Sequence, residues 1–138
     1  MQNVIHEVPG ADALFQWFGY WPDFHDAEVL AIDLNRTGST RVRVHTFDVS
    51  DQVGNDGCNV CVKHVVVSFL LDGLKTIELH GFNNQNVVSK VAVVRTEEGL
   101  QLLLAPCYGA EGSLTAERIR IEIEPGVPLD SQYRKNGA

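Results

Sequence analysis

The sequence predicts a mostly β fold of the α+β class: a curled antiparallel meander sheet of about seven strands with one N-terminal helix packed against it. Three observations point there. Only one stretch has helical periodicity, and it comes first. The remainder alternates apolar and polar residues in short runs bounded by turn residues. The links between those runs are too short for the crossovers that parallel neighbours need, which leaves antiparallel pairing. A two-sheet sandwich is the competing layout.

The helix is expected over Ala11 to Tyr20, with Leu14, Phe15 and Phe18 on one face and Trp21 a candidate to extend it, Gly10 before it, and Gly19 and Pro22 to stop it. So short a helix needs a docking surface for its aromatic side. Strands are expected at Glu28–Arg36, Arg41–Val49, Val60–Asp72, Leu74–His80, Val87–Arg95, Leu100–Cys107 and Glu117–Glu124. The dipeptide Asp72-Gly73 reads as a tight turn joining the third and fourth into a hairpin. Glu97-Glu98-Gly99 reads as a second turn. In Glu117–Glu124, Ile119, Ile121 and Ile123 alternate with charged residues, so one face is buried. The chain is expected to be one domain, 1–138, with its core at about 10–125 and a loose tail at 126–138.

Composition narrows the function classes. The formal net charge is −7, and it is unevenly spread: residues 1–56 hold nine acidic and three basic side chains, the remainder nine and eight. A nucleic-acid binder needs a cationic surface that displaces counterions, and this distribution runs the other way. An acidic half favours a cationic partner through electrostatic steering. The longest apolar run, Val65 to Leu71, is interrupted by Ser68 and is far shorter than the ~18 residues that cross a bilayer. No secretory signal is read at the N-terminus, and three cysteines, an odd number, suit reduced thiols in a cytoplasm.

The densest polar constellation is Trp21-Pro22-Asp23-Phe24-His25-Asp26-Ala27-Glu28, between the helix and the first strand. His25, Asp26 and Glu28 could act as metal ligands or as an acid–base pair. The favoured reading is that Asp23 or Asp26 satisfies backbone N–H groups of a turn while His25 bonds a carboxylate, ahead of a binding surface. His45, His64 and His80 fall where alternation sends them away from Val44, Val65 and Leu79, so they form a candidate polar face if their strands are neighbours. Asn83, Asn84 and Asn86, with Gln85, are either turn chemistry or donors and acceptors for a partner. Cys58-Asn59-Val60-Cys61 is a CxxC running from a loop into a strand. It lacks the helix N-terminus of a redox motif and the second ligand pair of a structural zinc site. No phosphate-cradling glycine loop and no nucleophile–base pair can be named.

Phe18-Gly19-Tyr20-Trp21-Pro22-Asp23-Phe24-His25-Asp26-Ala27-Glu28-Val29 resembles the FGxWPxFHDAE signature of the immunity protein 50 family of bacterial polymorphic-toxin systems. Val67-x-Phe69, Ile77-x-Leu79-x-Gly81-Phe82-Asn83 and Gln85-Asn86-Val87 resemble that family's middle block, and Gly112 with Arg118–Pro125 its close. The resemblance spans about residues 10–125; the loop Ser50–Val62 with its CxxC matches nothing in it. It implies a bacterial cytoplasmic protein, without cofactor or catalysis, that binds and neutralises a cognate toxin. Trp21, Pro22, Phe24, His25, Asp26 and Glu28 are the residues that match the signature. The alternatives are a small metal-dependent hydrolase using His25, Asp26 and Glu28, and a homo-oligomeric structural or small-ligand binding module.

Overall fold

The structure, a computed structural model, describes residues 2–133. After a 3-10 turn at Ile5–Glu7 come α1 (Ala11–Phe18), β1 (Ala27–Asp33), β2 (Thr40–Val53), β3 (Asn59–His80), β4 (Val87–Thr96), β5 (Gly99–Tyr108) and β6 (Glu111–Pro125). All neighbouring strands are antiparallel, and they close into a barrel in the order β1-β2-β3-β6-β5-β4. Two three-stranded meanders, β1-β2-β3 and β4-β5-β6, are thus joined along the long β3–β6 seam. The opposite seam is brief: β1 meets β4 only at Ala27↔Val88 and Glu28↔Val87.

The mostly β architecture and the N-terminal helix are those expected, but the described residues form six strands rather than seven. The Asp72-Gly73 hairpin does not form. β3 runs unbroken through it because β6 is long enough to pair with both halves, from Val65↔Pro125 to His80↔Glu111. Gly73, with φ +70°, lies beside the register shift at Leu74–Thr76, so the glycine bends the ladder instead of reversing it. A local turn signal is overruled by a partner strand that spans it.

Closure puts Val29, Val42, Val44, Val67, Phe69, Val91, Leu102, Leu114 and Ile119 in one core. Helix α1 adds Ala11, Leu14 and Phe18. An eight-residue helix has little stability of its own, so docking must hold it. The amide of Ile121 donates to the carbonyl of Pro9 at 2.8 Å, and the Trp17 indole N–H donates to the carbonyl of Lys63 at 2.8 Å. The helix ends at Phe18, earlier than expected, because Gly19 takes a left-handed conformation and returns its N–H to the carbonyl of Phe15. Phe15, expected on the buried face, is 40% exposed and packs instead against Trp21, with ring planes tilted by 47°.

The segment expected as a loose tail at 126–138 is, as far as Tyr133, tied down. Asp130 pairs with Arg43 of β2 at 3.3 Å, and Ser131 is buried against β1 and β2. Residues 134–138 of that expectation lie outside the described residues.

Candidate functional site

The junction between α1 and β1 is built by alternation of buried and exposed side chains. Pro22, Phe24, Ala27 and Glu28 are buried, while Trp21, Asp23 and His25 are exposed and Asp26 is intermediate. Phe24 packs on Phe69 inside the barrel, with ring centroids 5.9 Å apart. Phe24 and Asp26 both hold positive φ, +68° and +63°, which turns the chain sharply onto β1. The Asp23 carboxylate accepts from the N–H of His25 at 3.0 Å, an Asx-type turn. His25 and Asp26 lie 3.2 Å apart at the surface.

Glu28 points the other way, onto the outer face of the barrel, and does not join His25 and Asp26. It accepts from Nδ1 of His45 at 2.6 Å, from the Ser131 hydroxyl at 2.5 Å and from the N–H of Gln132 at 2.9 Å. Burial alone would raise its pKa, but these donors outweigh that cost and hold the carboxyl below its ordinary value. Among the described residues no three His, Cys, Asp or Glu side chains are arranged to hold a metal ion.

The expected histidine face is half assembled. His45 and His64 meet, Nε2 to Nδ1 at 2.9 Å, end to end, with ring planes only 20° apart. His80 ends β3 opposite Glu111, at the other end of that strand, and is exposed. His45 is not a surface residue either: it points outward, as alternation requires, but is fully buried. Its cover comes from His64, Phe47 and Tyr133. Burial, then the charge at His45, pushes the His64 imidazole down from its usual range.

The asparagine segment also divides. Asn86 is buried and is a structural clasp, accepting from the N–H groups of Asn83 and Ala110 and donating to the carbonyl of Asn83. Asn83 and Asn84 are exposed. Cys58 and Cys61 are free thiols on the β2–β3 hairpin, and burial, followed by the charges of Asp26 and Cys58, raises the Cys61 thiol.

Where the junction meets β2, a shallow cleft of about 160 Å³ is lined by Tyr20, Asp23, His25, Asp26, Asp48 and Val49, among others. Asp23 and Asp48 have no ion-pair partner among the described residues. Burial, a hydrogen bond to Asp48 and the charges of Asp48 and Asp23 push the Tyr20 phenol up to about 12, so it is a neutral donor at the rim. Tyr20, Trp21 and Val49 are 43%, 38% and 54% exposed.

A family model described as immunity protein 50 matches residues 10–125, from the glycine before α1 to the last residue of β6. The chain belongs to the immunity protein 50 family. Comparison with curated proteins and with solved structures gave no significant match. Family membership points to toxin immunity as the function class. The match includes the α1–β1 junction, the cleft, His45 and His64, whereas Ser131, Gln132 and Tyr133, which cover Glu28 and His45, lie beyond it. Sequence reasoning missed those three partners because no spacing rule links residues that lie 86 to 104 positions apart. It missed Asp48 because a lone aspartate on a strand carries no motif.

Proposed function

We propose that this immunity protein 50 family member neutralises a cognate toxin by binding it, and that the cleft between the α1–β1 junction and β2 is where a cationic surface of the toxin docks. It acts in the bacterial cytoplasm and without a cofactor. The observation that carries this reading is the pairing in the cleft of Asp23 and Asp48, which lack ion-pair partners among the described residues, with the exposed ring of Tyr20; the exposed ring of Trp21 follows Tyr20 in the chain and packs against Phe15. Aromatic anchors in an acidic rim suit an arginine- or lysine-bearing partner, because the rings supply contact area and the carboxylates steer the encounter. Among the residues matching the family signature, Trp21 and His25 are exposed and Asp26 is half-buried, which supports a role for these three in contacting a partner. Pro22, Phe24 and Glu28 are buried and act by shaping the junction.

The test is co-expression with the toxin encoded beside the gene, paired with calorimetry on the purified proteins. Rescue of growth and a stoichiometric complex are expected. Asp23→Lys and Asp48→Lys should each weaken binding by roughly tenfold or more through like-charge contact. Wild-type binding left intact by both substitutions and by Tyr20→Ala would move the interface elsewhere. Absence of any complex would reject the reading.

A further inference from the structure

On the outer face of the barrel Glu28, His45 and His64 form a linear chain. Oε1 of Glu28 is 2.6 Å from Nδ1 of His45, Nε2 of His45 is 2.9 Å from Nδ1 of His64, and Nε2 of His64 is 3.3 Å from the carbonyl oxygen of Cys61. Both ends of this chain are acceptors. The Cys61 oxygen can only accept, and Glu28 already accepts from Ser131 and Gln132, as an ionised carboxylate does. Three links between two acceptor ends need three protons. Two neutral imidazoles bring only two N–H groups.

We propose that Glu28, His45 and His64 constitute a buried proton-binding site that holds one proton beyond those of two neutral rings, and that releasing it opens the link between His64 and Cys61. The inference does not rest on what the protein binds. Which link opens follows from position. His45 is fully buried, so a bare nitrogen facing Glu28 or a lone-pair contact with His64 would leave an unmade hydrogen bond in the interior, where no water can replace it. The outer link is the longest and is half-exposed, beside an open cleft of about 600 Å³ lined in part by Cys58, Cys61, His64 and Tyr133. On release, His45 keeps its Nδ1–H toward Glu28, and His64 must exchange an Nε2–H for an Nδ1–H to keep bonding His45. Its Nε2 lone pair then faces the Cys61 carbonyl and drives the ring toward the cleft. The titratable and charged groups around the chain are Asp26 from the strand entry, Arg43 from β2, Cys61 from β3, and Asp130 and Tyr133 from the C-terminal segment; Arg43 is already paired with Asp130. Glu28 is the carboxylate in direct contact with the rings and supplies the countercharge. His45 is the ring in direct contact with the Glu28 carboxylate, so the extra proton is assigned to it, with His64 as the neutral partner.

The experiment is a pH series of long-range proton–nitrogen spectra on the full chain labelled with nitrogen-15 histidine, with His6, His25 and His80 as internal references. The pair is expected to release a single proton, and with it His64 should change from the Nε2–H to the Nδ1–H tautomer. Glu28→Gln should lower the proton affinity of the pair by roughly tenfold or more, since the countercharge is gone. His64→Gln, whose amide can accept from His45 and donate to Cys61, should keep the extra proton on His45. Release of two independent protons by the wild-type pair, or two neutral rings at every pH where the protein is folded, overturns the proposal. If Glu28→Gln does not fold, the wild-type tautomer change decides alone.

Discussion

Asn86 joins the β3–β4 connection to its surroundings through a side chain that is fully used: its oxygen takes N–H groups from Asn83 and Ala110, and its amide donates to Asn83. It also sits at φ +50°, which asparagine tolerates better than most residues. Asn86→Ala should therefore lower stability by about 2–4 kcal/mol in urea denaturation. Asn86→Gly loses the same bonds but not the backbone fit, so it should be about 1 kcal/mol less damaging than Asn86→Ala. Equal losses would mean that the left-handed backbone is not a source of strain. The sequence made this segment conspicuous as four consecutive amides, and turn chemistry was one of its two readings. What it could not distinguish was the buried asparagine from the exposed ones, since that depends on where Ala110 lies.

Among the elements, α1 and the C-terminal segment are each held by a small number of contacts. At Gly10 a Cβ would stand 2.0 Å from the carbonyl oxygen of Ile121, so Gly10→Ala must lift the start of α1 off β6. A loss of at least about 2 kcal/mol and greater exposure of Phe18 to quenchers or exchange are expected. The C-terminal segment is fixed chiefly through Glu28 and His45. Removing His45 leaves the buried Glu28 carboxylate without its 2.6 Å donor, so His45→Ala should cost roughly 2–3 kcal/mol or more. Glu28 also sets the acid limb of stability. Its folded pKa lies below its ordinary value, so its contribution is present above the unfolded pKa and is lost as pH falls through the folded one. Stability measured against pH should therefore decline on the acidic side in the wild type. In Glu28→Gln that decline should be shallower, from a lower plateau; an identical slope would show that other carboxylates govern acid unfolding.

For the molecule as a whole, charge asymmetry is the property on which the proposed docking of a cationic toxin depends. Steered association is screened by salt, with a Debye length of about 8 Å at physiological ionic strength. The association rate with the toxin should therefore fall steeply between low and high salt, while dissociation changes little. Stopped-flow or surface-based kinetics at several salt concentrations would read this directly. A rate insensitive to salt would remove the electrostatic part of the proposed function while leaving the aromatic contacts to be tested separately.

Sequence alone determined the class of fold, the position of the helix, the turn at Glu97-Glu98-Gly99 and most strand positions. These follow from hydrophobic period and turn residues, which are local properties of the chain. It also carried the α1–β1 junction that resembles the family. Only the tertiary structure decided that Asp72-Gly73 bends a strand rather than ending it, that six strands close into a barrel, and that Glu28 leaves His25 and Asp26 to join His45, His64 and Ser131. Each of these depends on which distant segment occupies the neighbouring space. Strand alternation assigns a side chain to a face of the sheet, but what covers that face is set by contacts far apart in the chain.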